Sequence, residues 1–375
     1  MNIILTTGVL LIVVSFLLRK ILPPYWGIVA VFLIMGFQEG VEGDFMRYKE
    51  EYNEFSKYST YQTRTVDDEP VWDFLYNTCA RKIPFWAFII LLAGFECLVL
   101  FMVTHKYGSK EYGWLGPILF FFTFYMMLIQ MKALRQGLAV ELGFLSYYMT
   151  TQKRGILWSL ILLTAAYFTH NSAIVIAPFI ILQIVMVVLY GMDNDEQTTD
   201  EHHNIAFPIV MLIIYLIVYS LKYSSVSNWL GQIAVILEDS EFRGEGYLES
   251  ENEMFNVSWL IVLYDGVMVF LCSWFIQRTT RRNRILAIAS IIGCYCDMLL
   301  FGMGTLPRIM MFFYVFNILT YPLIAEMIHN KYGFVQAMLF VTFLVGYAVK
   351  TSLPMILGKS GVFAFAPYRF CFLDN

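Results

Sequence analysis

Four ionisable residues stand inside or beside long apolar runs: Asp44, Arg135, His170 and Arg308. Their types suit one kind of chemistry. A guanidinium forks onto phosphate oxygens. An imidazole near neutrality serves as base or as hydrogen-bond donor, and a carboxylate can take the proton of a hydroxyl. Charge beside hydrocarbon costs kilocalories unless it is paired or wet, so each of the four is a functional candidate by default.

Each has local company. Asp44 opens the charged, tyrosine-rich segment 44–58, which reads as an amphipathic helix lying at a membrane interface. Asp44, Tyr48 and Tyr52 are spaced i, i+4, i+8 and share one face. They could offer a carboxylate and two hydroxyls to a sugar, or the tyrosines could be an interfacial aromatic belt. Lys132 and Arg135, with Gln136 and Gly137, interrupt a long apolar stretch; they either build an anion site or snorkel from span ends. His170, in Thr169-His170-Asn171-Ser172, sits between two apolar runs as base, phosphate donor or structural donor. Before Arg308, Gly302, Gly304 and Pro307 break the chain, so a new helix begins at a cation. That is the wrong sign for a helix N-terminus and calls for an anion: Asp297, Glu241 or a substrate phosphate.

The elements that must carry these residues are membrane spans. Of 375 residues, 59% are hydrophobic, 17% aromatic and only 14% charged, with mean hydropathy +0.63, a composition foreign to soluble domains. A bilayer core needs about 20 apolar residues per helix. Spans are expected near 2–19, 24–39, 84–104, 114–131, 132–149, 155–169, 171–191, 205–222, 256–276, 285–303, 308–328 and 333–350. This makes one all-α integral membrane domain over 1–375, a polytopic bundle of about 12 spans. The stretches 114–149 and 155–191 must each be divided, and either could hold a broken or re-entrant element. Ile3 to Leu18 lacks the flanks of a cleaved signal peptide and reads as a retained span.

Loop charge sets the sides. Arg19 with Lys20, Lys106 with Lys110, Lys153 with Arg154, the arginines of 278–284, and Lys331 fall in alternate loops, which are therefore cytoplasmic. The loop 192–204 carries no lysine or arginine to support the scheme. The long loops 40–83 and 223–255 are then extracytoplasmic, and Asp44, Lys132, Arg135, His170, Arg308 and Arg369 share that side. The net charge of −4 lies in solvated loops, and no basic patch suggests nucleic acid. Cys294 and Cys296 lack the neighbours of a metal site; no metal or cofactor is expected. Cys79 and Cys371 could both be extracytoplasmic and could pair.

Asp44 with its tyrosine-rich follow-on, Arg-Gln-Gly-Leu-Ala at 135–139, Ala-Tyr-Phe-Thr-His-Asn-Ser-Ala-Ile at 166–174, Arg308 ahead of Phe313-Tyr314, and the tail Pro367-Tyr368-Arg369-Phe370 occur in that order. Together they resemble the EpsG family of Wzy-like polysaccharide polymerases. The resemblance implies a GT-C-like or Wzy-like architecture in the bacterial inner membrane. It also implies transfer of a glycan from one undecaprenyl-pyrophosphate carrier to the non-reducing end of another, at the extracytoplasmic face and without a metal. Donor and acceptor are both lipid-linked; a flippase and a chain-length regulator are the expected co-workers. On that reading Arg135 and Arg308 face the pyrophosphate, while His170 and Asp44 compete as catalytic base. Gln136, Tyr48, Tyr52 and Arg369 support the glycan. Competing readings are a lipid-linked oligosaccharide flippase or transporter, which would show internal repeats and broken helices near the midplane, and a membrane acyltransferase with a catalytic histidine. No repeat is present, and His105, His202 and His203 have no supporting motif.

Overall fold

The computed structural model describes residues 2–39, 44–58, 69–123, 127, 130–152, 155–190, 205–222, 259–300, 309–357 and 368–371. They form two compact units, 1–192 with 321–375, and 193–320.

In the first unit the chain runs through α1 (Ile3–Leu17), α2 (Gly27–Gly36), α3 (Asp44–Phe55), α4 (Pro70–Cys79), α5 (Phe85–Tyr107), α6 (Leu115–Phe122), α7 (Leu134–Thr150), α8 (Gly155–Thr169), a 3-10 turn Asn171–Ile176, and α9 (Ala177–Tyr190). Helix is the only open element that satisfies all of its own backbone in lipid. Long apolar runs therefore become helices and polar loops become their ends. The outer faces suit a lipid solvent: Leu157, Trp158, Leu160 and Ile161 of α8, and Ile181, Leu182, Val188 and Leu189 of α9, are all exposed. Polar side chains turn inward instead. Glu96, Gln130 and Glu141 are buried, with Gln130 Nε2 donating to Glu141 Oε1 at 3.4 Å.

The α7–α8 hairpin is the tightest pairing near the polar residues. Ser146 Oγ donates to the Ser159 carbonyl at 2.8 Å. Its turn depends on Gly155, where an added Cβ would stand 1.9 Å from the Met149 carbonyl oxygen. On the opposite side of α7, Gly137 lets α5 approach: a Cβ there would lie 3.3 Å from Glu96 Oε1 and 3.1 Å from Gln130 Cβ.

The second unit contains α10 (Ala206–Lys222), α11 (Trp259–Ile276), α12 (Arg281–Leu300) and α13 (Met311–Tyr314). α10 packs on α11 and α12, and α12 on α13. Its buried polar node is Asp297, which accepts a hydrogen bond from Tyr314 at 2.5 Å. Asp265 of α11 and Tyr215 of α10 are buried in the same unit. The chain then continues through α14 (Asn317–Tyr332) into α15 (Phe334–Ile356), which packs on α6 and α1.

The loops of the first unit sort into two sets. Lys106 Nζ donates to Thr151 Oγ1 at 3.1 Å, Ser109 Oγ to Glu326 at 2.5 Å, and His329 meets Glu111 at 2.7 Å. Tyr25 stacks edge-on against His105 and the Arg19 guanidinium lies 5.5 Å from the Phe334 ring. These join the loops marked by lysine and arginine. The other set gathers at the far end of α5, whose 23 residues span roughly 34 Å. Tyr52 donates to the Ile83 carbonyl at 3.0 Å, Lys49 pairs with Glu39, and Tyr368 donates to the Ile34 carbonyl at 2.7 Å. There Gln38–Glu39 (β1) and Arg369–Phe370 (β2) form a short antiparallel pair that ties down the C-terminal tail, a strand pairing that an all-helical reading leaves out.

Among the described residues, five helical stretches are long and apolar enough to cross a membrane: Phe85–Tyr107, Asn171–Leu189, Trp259–Ile276, Met311–Tyr332 and Phe334–Ile356. Shorter apolar helices occupy Ile3–Leu17, Gly27–Gly36, Gly155–Thr169 and Ala206–Leu221. The expected span 114–131 holds α6, with eight residues and so about 12 Å long, ending in extended backbone at Thr123. The breaks anticipated in 114–149 and 155–191 are both present. The first contains Thr123 and the turn before Leu134, and the second is at His170 (φ −158°, ψ 123°).

Candidate functional site

Tyrosine and tryptophan spacing builds the platform. α3 and α4 lie against the start of α5 through a continuous aromatic cluster: Phe45 on Phe85 at 5.5 Å, Tyr52 on Tyr76 at 5.3 Å and on Phe88 at 5.1 Å, Trp72 on Tyr76 at 5.0 Å, and Tyr48 on Trp72 at 5.8 Å. Each such pair contributes about 0.5–1.5 kcal/mol beyond burial. Tyr76 donates its hydroxyl to the Tyr48 carbonyl at 3.2 Å, so the backbone of α3 is pinned where Tyr48 turns toward α7.

Arg135 is the second residue of α7. A cation there opposes the helix dipole and needs an anion. That anion is Glu69, 2.5 Å from Arg135 Nη1, so the pairing expected of Arg308 is found at Arg135. The pair is nearly dry, with side-chain exposures of 11% for Arg135 and 5% for Glu69. Arg135 Nε also donates to the Tyr48 hydroxyl at 3.2 Å, and the guanidinium lies 5.6 Å from the Tyr48 ring centre, within cation–π range. Burial pushes the Tyr48 hydroxyl above its ordinary pKa; Arg135 opposes the shift, while Asp44 and Glu69 add to it. Tyr48 therefore accepts from Arg135 while keeping its own proton to donate.

Next along α7, Gln136 Nε2 reaches Ser172 Oγ at 3.5 Å. Ser172 Oγ is 2.9 Å from His170 Nδ1, and the Ser172 backbone N–H donates to the same nitrogen at 3.2 Å. His170 thus caps the 3-10 turn that starts α9. An Nδ1 that accepts this bond assigns the neutral ring proton to Nε2. In this arrangement the imidazole offers a donor, which suits an anion better than it suits removal of a proton from a hydroxyl.

Of the residues picked from sequence, the structure brings Tyr48 and Arg135 into contact and links Gln136 to His170. Asp44 is half-buried at the first turn of α3, where a carboxylate is favourable, and its charge acts on Tyr48. Tyr52 is differently placed: its hydroxyl donates to the Ile83 carbonyl and its ring is buried in the aromatic cluster. Burial also pushes its pKa up. Arg308 lies outside the described residues, as do Glu241 and the whole of the loop 223–255. Arg369 contributes backbone to β2 opposite Glu39; its side chain is outside the described residues. Lys132 is buried, so it does not snorkel to solvent.

Sequence reasoning passed over Glu69 and Ser172. The signal that could have found Glu69 is an acid directly before Pro70, the mark of a helix start. Cys79 and Cys371 are free thiols, each pushed up in pKa by burial. Among the described residues no group of three or more His, Cys, Asp or Glu is placed to hold a metal ion.

Helices with apolar outer faces, polar side chains turned inward, and a guanidinium held by a carboxylate at a helix start define a polytopic membrane protein with a buried ion pair at the start of α7. The chain belongs to the EpsG family, which it matches over residues 25–370, nearly its whole length; this is a family of Wzy-like polysaccharide polymerases. Membership carries an exopolysaccharide polymerase role, of glycosyltransferase type, on lipid-linked oligosaccharide. No functionally curated protein and no solved structure matches the chain.

Proposed function

We propose that the protein joins undecaprenyl-pyrophosphate-linked repeat units into a surface polysaccharide at the extracytoplasmic face of the bacterial inner membrane, without a metal. The supporting observation is Arg135, held by Glu69 and Tyr48 beside the Gln136–Ser172–His170 chain. When the bond from the anomeric carbon to the pyrophosphate breaks, negative charge grows on the leaving oxygen. A preorientated guanidinium in a nearly dry setting stabilises that charge where water would do so poorly. Arg135, the His170 Nε2–H and, from its own segment, Arg308 are assigned to the pyrophosphate. Asp44, Tyr48 and Gln136 orient the glycan, with Arg369 at the edge. Tyr52 is assigned to holding the platform. Attack opposite the leaving group inverts the anomeric centre.

The reading takes the bundle to have about 12 spans in a GT-C-like arrangement, with the Lys/Arg-marked loops in the cytoplasm, and takes a flippase and a chain-length regulator as co-workers. The test is a purified reconstitution given a lipid-linked repeat unit and no nucleotide sugar. A polymer ladder that disappears in Arg135→Ala is expected; an unaltered ladder in that variant removes the proposal's centre.

A further inference from the structure

Glu69 holds Arg135 in the mechanism above, 2.5 Å from its Nη1, but has no part in the transfer itself. We propose that Glu69 is a resident stand-in for the donor's phosphate, displaced from Arg135 on donor binding and then able to take the proton of the attacking hydroxyl. The inference rests on the polymerase reading and deepens it.

Three observations support the exchange. A carboxylate offers a guanidinium the same two-oxygen edge as a phosphate, so the 2.5 Å contact marks where a phosphate oxygen can sit. Glu69 stands at the end of its helix, immediately before Pro70, with its carbonyl accepting from the Asp73 N–H at 3.1 Å. Its backbone is thereby anchored, so the exchange asks only for rotation of the side chain. It also lies close enough to Tyr48 for its charge to act on that hydroxyl, so a displaced carboxylate remains among groups that bind a sugar.

The exchange links binding to catalysis. A pyrophosphate ester carries more charge than a carboxylate and takes over Arg135. Glu69, still buried but parted from that cation, holds a proton more readily than before. The acceptor O–H then gives its proton to Glu69 while its oxygen bonds to the anomeric carbon. The bond from that carbon to the pyrophosphate breaks, and the electron pair leaves on the phosphate oxygen beside Arg135. When the polyprenyl pyrophosphate departs, Glu69 returns to Arg135 and releases the proton to water, which resets the site. No proton acceptor acts before a donor is in place.

The test uses the full-length protein in liposomes and two readouts: affinity for a sugar-free polyprenyl pyrophosphate, and transfer from a lipid-linked repeat unit. Glu69→Gln keeps the shape without the charge. It should bind the polyprenyl pyrophosphate several-fold more tightly than wild type, because no anion competes, and should transfer roughly 100-fold more slowly. Glu69→Asp, one methylene shorter, should also bind more tightly and transfer at an intermediate rate; it stands in if the Gln variant does not fold. Weaker binding in either variant removes the exchange, and transfer within about threefold of wild type removes the base. Wild type that binds the polyprenyl pyrophosphate but makes no polymer would sink the polymerase reading, while the affinity comparison would still decide the exchange.

Discussion

Replacing Arg135 by Met removes the cation of a nearly dry ion pair, with 11% and 5% of the two side chains exposed. Two separate losses should follow. The first is stability: breaking one side of a buried pair leaves an uncompensated charge, which costs about 3–5 kcal/mol, and the residual exposure of Arg135 points to the lower figure. The second is transition-state charge stabilisation, worth roughly 100- to 1,000-fold in rate for one donor to an oxyanion. The double variant Arg135→Met with Glu69→Leu separates the two. With both charges gone nothing buried is left unpaired, and such replacements are commonly neutral within about 1 kcal/mol or even stabilising. Thermal unfolding in detergent should therefore fall by several degrees in Arg135→Met and return close to wild type in the double variant. The polymer ladder from a lipid-linked repeat unit should be lost in both. Arg135→Lys keeps the charge but not the fork and should fall between. A double variant that regains polymer would show that Arg135 acts only by neutralising Glu69. Equal unfolding temperatures for wild type and Arg135→Met would show that the pair is solvated, and the electrostatic argument would fail with it.

Tyr48→Phe deletes the hydroxyl that accepts from Arg135 and should slow transfer by about 5- to 10-fold, the worth of one hydrogen bond of about 1 kcal/mol or slightly more. Tyr52→Phe loses only the bond to Ile83 and should lower the unfolding temperature without changing the rate; equal kinetic effects in the two variants would contradict their separate assignments. Both tyrosines are held above the ordinary value of 10.0. The folded state therefore keeps protons that the unfolded chain loses as pH rises through that value, so stability should hold through neutrality and decline only above about pH 10. In the second unit, Asp297→Asn can still accept from Tyr314 and should fold nearly as well as wild type, whereas Asp297→Leu strands a buried hydroxyl at about 1–3 kcal/mol; the comparison is read by unfolding temperature. A single cysteine at exposed Asn53, in a background without the native cysteines, should react with an impermeant maleimide added outside whole cells. One at exposed Lys331 should react only after lysis, and the opposite pattern would invert the proposed sidedness.

What could be read without coordinates was what single-chain periodicity and loop charge encode. Apolar runs longer than a turn or two had to become helices, and Lys and Arg marked loops of the first unit that meet one another, Lys106 with Thr151 and Arg19 with Phe334. Arg135 and His170 stood out because charge in an apolar run is costly. Tyr48 and Tyr52 could not be told apart, since both lie on one face of one helix. Their difference comes from α4 and the start of α5, which surround Tyr52 while leaving Tyr48 beside α7, a fact of packing between segments far apart in sequence. Glu69 was harder still. It sits in a polar loop, where a carboxylate costs nothing and so carries no signal, and it becomes expensive only when the fold buries it against Arg135. The same logic explains why the sequence argument about a cation at a helix start was sound but was first applied to Arg308. The rule identifies a cation that needs an anion, and only proximity in space says which anion answers it. At Arg135 the answering anion belongs to the protein itself, which is why the site can be nearly dry at rest.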